Sequence, residues 1–131
     1  MTLVDTSIVL DILLEGAAHG DESEKRLTAA LRAGPVFVND IIAAELAPVF
    51  EEETEMWATL EKAQINLVPY PRAAVYVAGR AFLRYRQAGG RRHRILPDFM
   101  IGAHAMVNGA RLLTRDRGFY RSHFPRLRLA E

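Results

Sequence analysis

Four acidic residues in this 131-residue chain do not look like solvated surface. Asp5 follows directly on the apolar run Thr2-Leu3-Val4, and Asp116 follows Leu112-Leu113-Thr114-Arg115. Glu45 sits inside the otherwise apolar stretch from Ile41 to Phe50, and Asp98 opens the apolar segment that runs to Val107. Each has an ordinary explanation when taken alone. Asp5, Asp98 and Asp116 suit helix caps or first turns, where a carboxylate meets free backbone N–H groups. Glu45, seldom buried without a partner, could pair with an arginine. Together they allow different chemistry. Bare carboxylates crowded at one place repel, and some must take up protons. A divalent cation removes that conflict, and all-oxygen ligation favours Mg²⁺ or Mn²⁺ over zinc. Such a site suits phosphodiester hydrolysis.

The elements that must position these acids follow from periodicity and punctuation. Strands are expected at 2–4, 36–38, 65–69 and 112–114, with an edge strand at 127–129. Helices are expected after the break at Asp5-Thr6-Ser7, at 21–33, after Asn39 or Asp40, and at about 54–64. A long helix over about 71–88 should bury a stripe of Val75, Ala78, Phe82 and Tyr85. The segment from Asp98 to Val107 is apolar all round and should be buried, with Asn108-Gly109 as its stop. Pro48 must kink or end the helix that carries Glu45. Short apolar strands alternating with helices imply one α/β domain with a mainly parallel sheet of four to five strands flanked by helices. The acids then lie at carboxyl ends of strands, where such sheets place their functional crevice.

Composition excludes several classes. There is no cysteine, hence no disulfide framework, zinc-thiolate site or thiol nucleophile. No run approaches the length of a membrane span, and no basic-then-apolar leader opens the chain, so a cytoplasmic protein is expected. The net charge of +1 conceals an asymmetry. Residues 1–66 hold four basic and 13 acidic residues; residues 67–131 hold 13 arginines and three acids. Arginine grips phosphate with a two-pronged fork. Arg91, Arg92 and Arg94 lead into Asp98, while Arg117 and Arg121 flank Asp116, so these five are candidate contacts to a phosphate backbone. The alternative is pairing with acids of the same chain, such as Glu51, Glu52 or Glu53. His104 fits a satisfied core histidine better than a ligand, and no histidine pair has zinc spacing.

Four segments resemble those of the PIN-domain nucleases, and within them the VapC-like toxins of toxin–antitoxin pairs. They are Leu-Val-Asp5-Thr-Ser, Ile-Ile-Ala-Ala-Glu45-Leu, Ile-Leu-Pro-Asp98-Phe-Met-Ile-Gly-Ala-His-Ala and Leu-Leu-Thr-Arg-Asp116-Arg-Gly-Phe. Their order and spacing span nearly the whole chain. The resemblance implies a metal-dependent endoribonuclease that leaves 5′-phosphate and 3′-hydroxyl ends and inhibits translation. It assigns Asp5, Glu45, Asp98 and Asp116 to the acidic quartet that holds Mg²⁺ or Mn²⁺. It gives Thr6, Ser7 and Thr114 supporting roles. It further implies an RNA substrate, a cognate antitoxin and a homodimer. The chain departs from the pattern at Gly118, where many relatives carry a further acid, and at Asn39 and Ile42, where relatives often have Ser or Thr. Two alternatives stay open: a non-catalytic RNA- or partner-binding module, and a housekeeping RNA-processing nuclease. Phosphatase-like and receiver α/β domains fit poorly, because position 7 is serine and the last lysine is Lys62.

Overall fold

The computed structural model describes residues 1–90 and 96–131. Four short strands form one parallel sheet: β1 (Thr2–Val4), β2 (Val36–Val38), β3 (Ile65–Leu67) and β4 (Arg111–Leu113), in the order β3-β2-β1-β4. Each crossover carries two helices. These are α1 (Thr6–Leu13) and α2 (Gly20–Ala33), then α3 (Asp40–Leu46) and α4 (Glu53–Lys62), then α5 (Arg72–Gln87) and α6 (Leu96–Val107). A last helix, α7 (Arg117–His123), comes after β4. No helix among the described residues is long and apolar enough to cross a membrane.

The expected α/β architecture with a parallel sheet is present. β1 is a central strand, with Leu3 level with Phe37 on one side and Leu112 on the other. All three of its residues are buried, as are those of β2. Helices on both faces explain why these strands are unbroken apolar runs without alternation. Strand order reverses direction between β1 and β4, so the crevice beyond their carboxyl ends is the switch point of the sheet. The expected edge strand at 127–129 lies beside β4 but makes only one parallel bridge, Leu112 to Leu129, leaving a four-stranded sheet.

Local chemistry sets the helix boundaries. Asn39 caps α3, its side-chain oxygen accepting from the Ile42 N–H at 2.9 Å. Pro48 ends the α-helical path, and residues Ala47–Val49 tighten into a 3₁₀ turn. Gly109, at φ 64°, takes the left-handed conformation that stops α6 just before β4. The expected stripe of α5 holds at Ala78, which is buried, and at Phe82 and Tyr85, which pack against the core. Ala74, Ala78 and Ala81 are buried, whereas Val75 is 54% exposed. Three alanines give α5 a flat face that can lie close on α6, and packing of that face outranks the size of Val75. Helix α6 is buried through Phe99 and Ile101 to Ala105, as its all-round apolarity requires. A Cβ added at Gly102 would lie 2.6 Å from the Phe124 ring, so α6 is pressed hard against the C-terminal segment.

Candidate active site

The first acid ends β1. Asp5 is 7% exposed and caps α1: one carboxylate oxygen accepts from the Thr6 N–H at 2.8 Å. The other accepts from the Thr114 hydroxyl at 2.7 Å, across the β1–β4 boundary. The cap and the site are therefore one residue. Thr114, 1% exposed, also accepts from the Asp116 N–H at 3.0 Å, so a single hydroxyl ties the first acid to the backbone of the last. Asp116 begins α7, and its exposed side chain makes no capping bond.

Thr6 works on the opposite side. Its hydroxyl donates to Glu45 Oε1 at 2.6 Å, joining α1 to α3. Glu45 is exposed, and among the described residues its partner is this hydroxyl. Ile42 cannot supply a hydroxyl on α3, and Thr6 supplies one from α1. The line Glu45–Thr6–Asp5–Thr114–Asp116 thus runs across the carboxyl ends of β2, β1 and β4.

Asp98, in the first turn of α6, is brought to the same place through Tyr120. The Tyr120 hydroxyl donates to the Asp98 carbonyl at 3.2 Å, and the ring is buried. Burial pushes the Tyr120 hydroxyl far above its ordinary pKa, and repulsion from Asp5, Asp98, Asp116 and Glu45 pushes it further. The Tyr120 hydroxyl thus lies within electrostatic reach of all four acids. The Asp5 carboxyl is also raised. Burial is the main cause and repulsion from Glu45 and Asp116 adds to it, against the lowering bonds from Thr114 and Thr6. Among the described residues, no three acidic or histidine side chains are already drawn to coordinating distance. The Ser7 hydroxyl is buried with no hydrogen-bond partner among the described residues. A water of a hydrated cation would satisfy it.

The candidate RNA-binding arginines separate. Arg117 is committed in part, its Nη1 donating to the Ala130 carbonyl at 2.6 Å. Arg121 is exposed on α7. Arg91, Arg92 and Arg94 lie outside the described residues. His104 is a core residue, fully buried between Asn39 at 3.0 Å and Asn108 at 3.2 Å. Burial lowers its pKa, which keeps the ring neutral.

The chain matches the family model for the PIN domain over residues 2–124. It belongs to the PIN-domain family. No curated protein sequence matches it. Among solved structures, this PIN domain is similar to the VapBC2 complex of Rickettsia felis bound to a promoter DNA fragment. That match has a TM-score of 0.74 and 19% identity, and covers 98% of this chain and 96% of that one. It is also similar to a toxin–antitoxin complex from Klebsiella pneumoniae, with TM-score 0.70, 19% identity and coverage of 100% and 98%. A third is VapC20 of Mycobacterium tuberculosis, described as a sarcin-ricin-loop-cleaving toxin, with TM-score 0.64, 17% identity and coverage of 91% and 94%. At these identities the likeness is one of fold.

Two contributors have no place among the acids singled out from sequence. Tyr120 lies four residues past Asp116, one helical turn along α7, and that spacing was its only signal. Asp11 breaks the apolar run Ile8 to Leu14, the same signal that marks Glu45. It is 7% exposed, accepting from Ser23 Oγ at 2.6 Å and from Arg115 Nε at 2.7 Å and Nη2 at 3.1 Å. Burial works to raise the Asp11 pKa. The Ser23 hydroxyl and the Arg115 fork outweigh it and hold the carboxyl below its ordinary value.

Proposed function

We propose that this PIN domain is a divalent-metal-dependent endoribonuclease and the toxin of a toxin–antitoxin pair. The observation that carries this is the hydrogen-bonded line through Asp5, Glu45 and Asp116, with Asp98 facing the same Tyr120 hydroxyl. The donor set fits a hard cation: four carboxylates and no sulfur. Asp5, Glu45, Asp98 and Asp116 would hold Mg²⁺ or Mn²⁺. Such an ion supplies Lewis acidity toward a phosphate oxygen and toward an attacking water.

The chain's own residues set the stage. Thr6 and Thr114 fix the carboxylates of Glu45 and Asp5 by short bonds, which limits their rotation before any ligand arrives. Burial, with repulsion from Glu45 and Asp116 added, already disfavours the charged form of Asp5, so a cation at the site would offset that cost. Arg121, together with Arg91, Arg92 and Arg94, would draw the RNA backbone toward the acids, since cations beside the site attract phosphate. A cognate antitoxin is the partner that the likeness to toxin–antitoxin complexes supports, and a homodimer is the partner that the sequence resemblance implies.

The test is RNA cleavage by wild type and Asp5→Asn, each with Mg²⁺, with Mn²⁺ and with chelator. We expect cleavage only for wild type with metal. Equal activity in all arms would overturn the reading. Growth arrest on expression, relieved by the product of a neighbouring small gene, tests the toxin assignment.

A further inference from the structure

Three consecutive residues of the β4–α7 turn are treated differently by the fold. Thr114 is bonded to Asp5, the residue that begins α1. Arg115 is bonded to Asp11, in the last turn of the same helix. Asp116, next in sequence, is exposed and makes no capping bond with its side chain. Helix α1 thus acts as a ruler. Its two carboxylates, six residues or about 9 Å apart along the axis, hold the turn at two points. At the second point the arginine side chain is 41% exposed but its partner is not. Asp11 is buried beneath Ser23, itself 1% exposed, and the arginine meets it with two parallel N–H bonds. A forked bond fixes direction as well as distance, which a lysine cannot do.

We propose that Arg115 is a positioning residue. Its fork on Asp11, backed by Ser23, fixes the backbone from which Asp116 reaches the cation. This rests on the reading of the quartet as a cation site. Asp11 and Arg115 do not themselves touch the cation or the RNA backbone.

The sign of one measurement separates this role from its rival. Arg115 is a cation close to an acidic site. If it acted only through its charge, removing it would tighten the binding of a divalent ion. If it acts by positioning, removing it weakens binding, because Asp116 loses its fixed approach. Free Mn²⁺ is counted by electron paramagnetic resonance during titration of the RNA-free protein, well below the melting temperature of each variant. The proteins are wild type, Arg115→Gln, Arg115→Lys, Asp11→Asn and Arg115→Gln with Asp11→Asn.

We expect Arg115→Gln and Asp11→Asn each to weaken Mn²⁺ binding about tenfold, the usual scale for groups that orient ligands. The double variant should lose no more than either single one, because both break the same bond. Arg115→Lys keeps the charge but not the fork and should also bind more weakly. Should Arg115→Gln unfold, the lysine variant carries the test. Unchanged or tighter Mn²⁺ binding in Arg115→Gln and Arg115→Lys overturns the proposal. Asp5→Asn is the control on the underlying reading. If it too binds Mn²⁺ as wild type does, the quartet assignment fails, not the brace.

Discussion

Replacing Thr114 by valine removes one oxygen and almost no volume. That oxygen makes two bonds: it donates to the buried Asp5 carboxylate at 2.7 Å and accepts from the Asp116 N–H at 3.0 Å. A hydrogen bond to a charged group contributes about 1.5–3 kcal/mol, and the orphaned N–H adds to the loss, so we expect a deficit of about 2–3 kcal/mol at neutral pH. For 131 residues the unfolding entropy is about 0.28 kcal/mol/K at the midpoint, which converts the deficit into a melting temperature lower by about 7–11 °C. The pH dependence is the sharper part. The folded pKa of Asp5 lies above 3.8, so ionised Asp5 costs the fold stability at neutral pH, and that cost vanishes as the pH falls below 3.8. Without Thr114 the Asp5 pKa rises further, because a bond to the charged form is gone. The gap between the two proteins is therefore widest at neutral pH and narrows as the pH drops toward 3.8. Calorimetric melts of both proteins in chelator, at steps from pH 7.5 to 4, give the comparison. A gap that stays constant across that range, or no gap at pH 7.5, refutes the coupling between Thr114 and Asp5.

Three further outcomes are expected. Asp5→Asn abolishes cleavage, yet without metal it melts at or above the wild-type temperature, since it removes a crowded buried charge. Saturating Mn²⁺ at 100 times Kd should stabilise wild type by about 2.7 kcal/mol and this variant by nothing, which denaturant titration checks. Gly102→Ala should cost about 1–3 kcal/mol, read by urea unfolding, because the added methyl meets the Phe124 ring, which is only 3% exposed. The His104 ring should titrate below 6.5 by NMR. Its neutral state contributes stability that is complete above pH 6.5 and lost as the pH falls toward the lowered folded value. His123, also lowered by burial, adds a loss of the same sign.

Much of the fold was legible in the sequence because β1, β2 and most of β4 are buried. Such strands leave short apolar runs, and the punctuation at Asp5, Asn39 and Gly109 marks the helix boundaries beside them. The acids stood out because a carboxylate beside such a run requires a reason. What escaped was whatever depends on neighbours. Helix α7 has a glycine and no apolar period. It is held by rings, with Phe119 against Phe99 at 5.2 Å and Tyr120 against Phe119 at 4.9 Å. Val75 was misplaced because periodicity reports an apolar stripe but not which face meets α6. Asp11 carried the same signal as Glu45, and only the fold shows that one pairs with arginine and the other with a threonine hydroxyl.

The place of β1 between β2 and β4 bears on the order in which the protein is made. Asp5 is made 109 residues before Thr114, which holds its carboxylate. β1 is flanked on both sides only when β4 arrives, and β4 begins at Arg111. A nascent chain therefore carries Asp5 and then Glu45 through the synthesis of β2, β3 and the helices between them without assembling the site. If the four acids cleave RNA, that activity is withheld until β4 and Asp116 have been made.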